Sequence, residues 1–302
     1  MTARRVSTAQ RGGMLGHYSI EVDMSNSMRT RAPEADHTSR RPAAAQPPLP
    51  VALVMTATIR PQADAVALAR KDPALRLEDY CAALRFYLGL PDALVDRIVF
   101  IENSASDLSA LQRIVDTETH AKQVELLTFQ GNDFPPSFGR GYGEFQLLNH
   151  GLAQSASLRR GDLFWKVTGR LQVRNLDELI RTAPQEYDLY CDVRDVPLVG
   201  QIFGGNPWLE LRLFSATRAG YDQFFRPQAD RLRRDKVGTP ERYLFHQLKN
   251  YPDPLRIIRR FRVQPQYVGF AGHSNRDYAS LPDRAKNSVR SVTRKWLPWI
   301  WI

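Results

Sequence analysis

Apolar runs that alternate with helix-like segments constrain the fold of this chain more than any other feature of its sequence. The first run, Val51–Met55, is continuous and typical of a strand covered on both faces. Later strands are predicted in "RIVFIENS", "QVELLTF", "DLFWKVTG", "YDLYCDV" and "WLELRLFSAT", with helices such as "LEDYCAALRFYLGL" between them. This β-α-β-α alternation predicts an α/β, Rossmann-like fold with a mainly parallel sheet and helices on both faces.

Composition divides the chain into three parts. Residues 1–48 are rich in Arg, Ser, Thr, Ala and Pro, and such a segment buries too little apolar surface to fold, so we expect a disordered leader. Residues 49–280 form the predicted α/β domain. Residues 281–302 form a basic, tryptophan-rich tail.

The net charge of the chain favours an anionic partner. The sequence has 42 Lys and Arg against 32 Asp and Glu, a formal charge of +10. A nucleotide diphosphate, an anionic membrane surface and nucleic acid all fit that charge, which does not choose among them. The two cysteines lie far apart, and no apolar run reaches the roughly 18 residues that span a bilayer. We therefore expect a reduced, cytoplasmic protein.

The residues that close the predicted strands are candidates for binding. In open α/β sheets, ligands bind beyond the carboxyl ends of the strands, where polar groups of several strands meet. The first, second, fourth and fifth strands end in the candidates Thr56, Arg60, Glu102, Asn103, Lys166, Thr168, Gly169, Arg170, Asp192 and Asp195.

A glycine-rich segment, "SFGRGYGEFQLLN", opens the predicted third helix. Gly141 and Gly143 would let the backbone approach a ligand at the helix N-terminus, and Arg140 would pair with phosphate oxygens. The spacing matches neither a P-loop nor a dinucleotide fingerprint, so a simple tight turn remains the alternative.

The stretch from "VALVMTATIRP" through "GRGYGEFQLLNHGLAQSASLRRGDLFWKVTGRLQVRNLDELI" resembles the nucleotide-binding half of GT-A glycosyltransferases. It is most similar to glycosyltransferase-like proteins of bacterial surface-polysaccharide (capsule or O-antigen) synthesis. The resemblance covers residues 51–250, and "GYGE" followed by K-x-T-G-R is its most specific part. It implies that Thr56, Arg60, Glu102 and Asn103 meet the nucleoside of the donor. The matching Gly/basic segment consists of Arg140, Gly141, Gly143, Glu144 and Asn149.

One departure from the GT-A pattern concerns the metal. GT-A enzymes usually carry Asp-x-Asp after the fourth strand, where a divalent cation neutralises the leaving diphosphate. This chain has Lys166, Thr168 and Arg170 there, and preorganised cations can replace the metal charge. We expect no metal cofactor. The alternative is that Asp192 and Asp195 hold Mg²⁺ or Mn²⁺.

A transferase that inverts also needs a base. The first candidate is Glu241, in a helix that Thr239 would cap and Pro240 would begin. A glutamate in a first turn also stabilises the helix dipole without any catalytic role. Asp192 and Asp195 are the alternative bases.

The tail favours a membrane surface. From Arg284 to Lys295 it carries basic residues without an acidic one, followed by Trp296, Trp299 and Trp301. Tryptophan prefers the headgroup region, and basic residues favour anionic lipid. The alternative is that these tryptophans pack on the core of the domain.

The sequence thus predicts a glycosyltransferase that transfers a sugar from a nucleotide-sugar donor to a glycan or lipid-linked acceptor of the bacterial surface. We expect it to lie peripherally on the inner face of the cytoplasmic membrane. One rival is a nucleic-acid-binding protein, suggested by "RLRRDK" and "RIIRRFR". No recognition motif supports that rival, so we expect no nucleic-acid partner. The other rival is a non-catalytic GT-A-like scaffold.

Overall fold

The computed structural model describes residues 50–65, 68–196, 207–252, 255–272, 274, 277–278 and 280–296, without the side chains of residues 281–286. The predicted leader at 1–48 and the end of the predicted tail at 297–302 lie outside the described residues. No helix in the described ranges is both long and apolar enough to cross a bilayer.

A central sheet organises the described part of the chain. The strands are β1 (Val51–Ala57), β2 (Val95–Glu102), β3 (Gln123–Thr128), β4 (Leu163–Thr168), β5 (Gln172–Val173), β6 (Leu189–Tyr190), β7 (Val193–Arg194), β8 (Trp208–Leu209), β9 (Leu213–Thr217), β10 (Ile257–Ile258) and β11 (Tyr267–Val268). Seven of them form the sheet, in the order β10-β6-β9-β4-β1-β2-β3. The pairs β11–β5 and β7–β8 form two small antiparallel sheets.

Strand direction confirms the predicted sheet and adds one exception. β1 pairs in parallel with β2 and with β4, and β2 pairs in parallel with β3. β9, however, runs antiparallel to both β4 and β6. The predicted sixth strand at 208–217 is also divided, since β8 pairs with β7 and only β9 joins the central sheet.

Helices cover both faces of the sheet. They are α1 (Pro73–Leu88), α2 (Ser109–Thr117), α3 (Gly139–Gln154), α4 (Leu176–Thr182), α5 (Arg218–Phe224), α6 (Arg234–Val237), α7 (Pro240–Lys249) and α8 (Leu281–Trp296). Successive residues of a strand point to opposite faces. Leu53 of β1 therefore packs in a core that includes α1, α2 and α4, while Val54 packs in a second core that includes α3, α5 and α7. Every residue of β1 is buried, as its apolar run predicted, and the parallel strand pairs with helices on both faces confirm the predicted α/β fold.

The helix starts differ in detail from the predicted caps. Asp72 caps α1 by accepting a hydrogen bond from the Ala74 N–H at 2.8 Å. This cap was not predicted from the sequence. Asp107 lies one residue before the N-cap position of α2, yet its carboxylate accepts from the Ser109 N–H at 2.9 Å. Thr239 occupies the N-cap position of α7 without a side-chain hydrogen bond to the helix, so its predicted cap is wrong in that respect.

Candidate functional site

The ends of β1, β2 and β4 meet the start of β9 along one side of the sheet, here called the carboxyl edge. Thr56 and Thr168 are partners in the register of β1 and β4. The Gly169 N–H donates to the Thr56 carbonyl at 2.9 Å, and a Cβ at position 169 would lie only 2.7 Å from that oxygen. Gly169 thus allows the two chain segments to meet, and the structure brings these predicted residues together.

Glu102 organises the loops of the carboxyl edge. It is fully buried, and its carboxylate accepts from the Ile59 N–H at 2.9 Å and from the Thr128 hydroxyl at 3.0 Å. The N–H and hydroxyl of Ser104 and the N–H of Ser106 also donate to it. Breaking such buried hydrogen bonds is costly, so the predicted direct contact with a nucleoside does not fit this arrangement. Glu102 instead holds the segments after β1, β2 and β3 in place.

The other two candidates near β1 and β2 differ in accessibility. Asn103 is buried, and its Oδ1 accepts a hydrogen bond from the Thr58 hydroxyl at 2.6 Å. Arg60 is exposed; its backbone N–H donates to the Ser104 hydroxyl, and its carbonyl accepts from Asn132. The Arg60 backbone is thereby fixed while the residue stays exposed, so an anionic ligand can reach it.

Lys166 makes an internal ion pair. Although it lies in β4, it is buried, and its ammonium group donates to the carboxylate of Glu144 on α3. It also donates to the Leu211 carbonyl at 2.7 Å, and Glu144 accepts from the Thr56 hydroxyl at 3.2 Å. The predicted role of Lys166 as a free cation for diphosphate is therefore wrong, because its charge is already balanced by Glu144.

The glycines of α3 serve helix packing. A Cβ at Gly141 would lie 2.3 Å from the Pro240 ring, and a Cβ at Gly143 would lie 2.4 Å from the Phe134 ring. These close contacts explain both glycines without a phosphate. Gly141 brings the start of α3 against the start of α7, which places Arg140 in the electrostatic surroundings of Glu241. The side chain of Arg140 is exposed.

Glu241 combines partial burial with like charges nearby. Burial raises the pKa of Glu241 above its usual value of 4.5, and repulsion from Glu210 and Glu144 adds to that increase. Backbone hydrogen bonding and Arg140 oppose the increase without cancelling it. A carboxyl group with a raised pKa is a better proton acceptor when ionised, as a general base requires. The structure therefore keeps Glu241 as the leading candidate for the base.

Arg170 lies at the end of β4 against the segment 269–272. Its Nη1 donates to the Phe270 carbonyl at 2.8 Å, and a Cβ at Gly272 would lie 2.6 Å from its Nη2. Burial lowers the pKa of Arg170, with the nearby Arg76 adding to the effect, but a guanidinium remains protonated. Arg170 thus keeps its charge at the carboxyl edge. Its contacts are separate from the Lys166–Glu144 ion pair.

Glu210 and Arg212 form an ion pair at the carboxyl edge, and neither was predicted from sequence as a site residue. The Nε of Arg212 donates to Glu210 at 2.7 Å, and the Arg212 Nη2 donates to the other carboxylate oxygen. Burial raises the pKa of Glu210, but Arg212 and then Arg194 outweigh it and hold the pKa at about 2. The Arg212 carbonyl accepts from the Thr168 N–H at 2.9 Å, which places the pair beside β4. The signal was the alternation of charged residues and leucines in "WLELRLF".

Asp192 and Asp195 do not form a shared site. Asp192 is buried and accepts from Arg294 of α8 at 2.7 and 3.0 Å, and from the Phe261 N–H at 3.2 Å. Asp195 instead accepts from Lys249 at 3.3 Å. A carboxylate buried under an arginine is neither an accessible base nor an open metal ligand. The predicted catalytic role of Asp192 is therefore wrong. The predicted metal site formed by Asp192 and Asp195 together is wrong for the same reason.

The described residues contain no group of three or more His, Cys, Asp or Glu side chains that could hold a metal ion. Glu144 and Glu210 both repel the carboxylate of Glu241. The first two, however, accept hydrogen bonds from Lys166 and Arg212. Of these three carboxylates, Glu144 and Glu210 are therefore each paired with a protein cation, whereas burial, and then its carboxylate neighbours, raise the pKa of Glu241.

Comparisons with known proteins place the chain near several solved structures. No protein-family model and no curated protein sequence matches it. The glycosyltransferase GlyE of Streptococcus pneumoniae TIGR4 is 9% identical with a TM-score of 0.43, and the match covers 70% of this chain and 45% of GlyE. Core-mannan synthase A of Aspergillus fumigatus, in an Mn/GDP form, is 11% identical with a TM-score of 0.44 and coverages of 84% and 87%. The 4-diphosphocytidyl-2C-methyl-D-erythritol synthase of Anaerococcus prevotii is 7% identical, with a TM-score of 0.38 and coverages of 80% and 98%. This chain spans less than half of the length of GlyE.

Proposed function

We propose that this chain is a glycosyltransferase that moves a sugar from a nucleotide-sugar donor to a glycan acceptor of the bacterial surface. The observation that carries the proposal is the setting of Glu241. At the carboxyl edge, a carboxyl group with a raised pKa lies in the electrostatic surroundings of Arg140, and the Glu210–Arg212 pair lies nearby. A base beside fixed cations is the combination that sugar transfer from a diphosphate donor needs.

The residues divide the work of an inverting transfer. Glu241 accepts the proton of the acceptor hydroxyl, whose oxygen forms the new bond to the anomeric carbon of the sugar. The bond between that carbon and the donor phosphate breaks, and its electron pair leaves with the nucleoside diphosphate. Cations at the carboxyl edge stabilise the negative charge that grows on the leaving group.

Metal independence is the second part of the proposal. Glu144 pairs with Lys166, Glu210 with Arg212 and Asp192 with Arg294, so each carboxylate already has a protein cation. Arg170 keeps its charge at the end of β4. This distribution supports compensation of the diphosphate by arginine.

The outer face of α8 supports docking on an anionic membrane. Val289, Val292 and Trp296 follow one another at helical spacing and are 59%, 58% and 69% exposed. The Lys295 ammonium lies 5.7 Å from the Trp296 ring centroid, so a cation accompanies this apolar stripe. We propose that the stripe rests on the cytoplasmic face of the membrane, near a lipid-linked acceptor. Trp299 and Trp301 lie outside the described residues.

The internal contacts of the basic run "RIIRRFR" count against a nucleic-acid partner. Arg256 pairs with Glu186 and Asp188. Arg259 and Arg262 donate to the carbonyl oxygens of Leu248 and Thr182. Because these guanidinium groups make internal contacts, they do not form the free cationic stripe expected of a phosphate-backbone binder.

Binding and turnover together test the proposal. Purified protein is titrated by calorimetry with a panel of nucleotides and nucleotide sugars in EDTA, and donor hydrolysis is followed by product analysis. We expect one donor class to bind and to be hydrolysed, and Glu241→Gln to bind the donor but hydrolyse it slowly. Nucleotide binding without hydrolysis would identify the chain as a non-catalytic scaffold. Binding to DNA that weakens steeply with salt, without nucleotide binding, would support the nucleic-acid rival.

A further inference from the structure

Arg212 and Arg194 both approach Glu210 at the carboxyl edge, and Arg290 lies in the electrostatic surroundings of these three residues; we call the three arginines the arginine cluster. Arg194 ends β7, Arg212 directly precedes β9, and Arg290 lies in α8. They are brought together by two contacts: the antiparallel pairing of β7 with β8 and the Arg294–Asp192 ion pair that docks α8. None of the three was a predicted site residue.

Arg212 forms the fixed centre of the cluster. Its guanidinium lies 4.3 Å from the Tyr267 ring centroid and 4.8 Å from the Tyr278 ring centroid, while it donates to both oxygens of Glu210. Such stacking and pairing leave the guanidinium little freedom. The charge of Arg212 is therefore balanced by Glu210.

Arg194 reaches the same carboxylate only weakly. Its Nη2 lies 4.0 Å from a Glu210 oxygen, which is too far for a hydrogen bond. Its guanidinium lies 5.3 Å from the Trp208 ring centroid, so the aromatic ring orients it. Among the described residues, no hydrogen bond holds the Arg194 guanidinium, and its donors lie beside Glu210.

Arg290 is the third member and comes from a distant part of the sequence. It precedes Arg294 by four residues, which places both on the face of α8 that meets Asp192. Burial lowers the pKa of Arg290, and repulsion from Arg194 and Arg212 lowers it further. Glu210 balances one of these three positive charges, and Glu241 lies in the electrostatic surroundings of Glu210, so the three arginines exceed these two carboxylates by one charge when both are ionised.

A buried hydroxyl adds a neutral donor to this place. Tyr267, whose ring stacks on Arg212, has a buried hydroxyl without a hydrogen-bond partner among the described residues. A buried polar group of this kind costs stability unless a ligand or water satisfies it. A local excess of positive charge beside an unsatisfied donor suits an anion with several oxygens.

We propose that the arginine cluster binds a diphosphate group without a metal ion. This inference rests on the proposed function, since the diphosphate of a nucleotide sugar and that of a lipid-linked acceptor share the recognised chemistry. The cluster lies beside the end of β4, because the Thr168 N–H donates to the Arg212 carbonyl. It replaces Lys166, whose charge Glu144 balances, as the main source of compensating charge.

Calorimetric titration of the full chain in EDTA tests the inference, with inorganic pyrophosphate, nucleoside diphosphates and farnesyl diphosphate as probes. We expect pyrophosphate to bind, and Arg194→Ala and Arg290→Ala each to weaken binding about tenfold or more, the range of a lost charge-assisted hydrogen bond. Arg256→Ala is the matched control, because it removes the same charge from the segment before β10, where Arg256 pairs with Glu186 and Asp188. It should leave the dissociation constant unchanged. Arg290→Lys keeps the charge and should lose less affinity than Arg290→Ala.

The outcomes separate the sources and the two proposals. Tight binding of a nucleoside diphosphate but not of farnesyl diphosphate assigns the cluster to the donor, and the reverse result assigns it to a lipid-linked acceptor. An unchanged dissociation constant in a folded Arg290→Ala and Arg194→Ala protein overturns the inference, as does pyrophosphate binding that appears only with Mn²⁺ or Mg²⁺. Sugar transfer with unchanged binding in both variants would refute the cluster alone. Metal-free pyrophosphate binding that both variants weaken, without turnover of any donor, would refute the glycosyltransferase alone.

Discussion

Arg294 of α8 binds Asp192 through both of its terminal nitrogens, at 2.7 and 3.0 Å, and both side chains are buried. Arg294 also donates to the Phe261 carbonyl at 2.6 Å and to Gln264 at 2.8 Å. The predicted tail therefore contacts the α/β domain through a buried ion pair. Asp192, a candidate for catalysis from sequence, instead holds the last described helix in place.

Arg294→Ala should destabilise the folded protein strongly. It leaves the buried carboxylate of Asp192 without its cation, and breaking such a pair costs about 3 to 5 kcal/mol. Urea unfolding followed by circular dichroism measures the loss of free energy. Lys295→Ala is the control. Lys295 is the next residue in the helix and is exposed, so its removal should change stability little. Equal stability of Arg294→Ala and the unchanged protein would show that α8 is not part of the fold.

Most of the sheet could be predicted because its strands are continuous apolar runs. Val51–Ala57 is buried on both faces, and a segment of that composition has few other places to lie. The direction of β9 could not be predicted, because an apolar run such as Leu213–Thr217 fits a parallel and an antiparallel neighbour equally well.

The meeting of the strand ends was predicted, but the side-chain partners of the candidate site residues were not. Thr56 and Thr168 meet as expected, since the ends of neighbouring parallel strands must share an edge. Lys166 pairs with Glu144, 22 residues away, and Arg294 pairs with Asp192, 102 residues away. Such pairs depend on the three-dimensional register of a helix against the sheet, which local sequence patterns do not contain.

Glu241→Gln should remove a limb of the pH–rate profile. Burial raises the pKa of Glu241, so its carboxylate form, the base, becomes populated at a higher pH than in an ordinary glutamate. Transfer should therefore increase with pH through that raised pKa, and the variant should be slow at every pH. Turnover measured from pH 4 to 9 (about one point per half unit) tests this. A variant with the same profile as the unchanged protein would exclude Glu241 as the base.

Glu210→Gln should reveal the acid-sensitive part of stability. The folded pKa of Glu210 lies at about 2, below its usual 4.5, so the ionised pair with Arg212 stabilises the fold above pH 4.5 and is lost as the pH falls toward 2. The shift corresponds to on the order of 3 kcal/mol at neutral pH. The difference in unfolding free energy between the two proteins should therefore shrink between pH 4.5 and about 2. A difference that stays constant over this window would contradict the assignment.

The exposed stripe of α8 should control membrane binding. Val289→Ser, Val292→Ser and Trp296→Ala combined should weaken binding to vesicles that contain anionic lipid, because each removes apolar area from the outer face. Flotation with anionic and with neutral vesicles measures the effect. The folded state should be unchanged, since these side chains are exposed. Equal flotation of the triple variant would exclude this face as the docking surface.

Sugar transfer should persist in excess EDTA. The carboxyl edge already carries Arg170 and the arginine cluster. These positive charges would repel a divalent metal ion and attract a diphosphate. Turnover of the best donor is measured after dialysis against EDTA and again after Mn²⁺ or Mg²⁺ is added. We expect the rate to change less than about threefold, which corresponds to roughly 0.7 kcal/mol in the barrier. Abolition by EDTA with full recovery on adding Mn²⁺ or Mg²⁺ would show instead that a divalent cation balances the leaving group, and that the arginines act beside it.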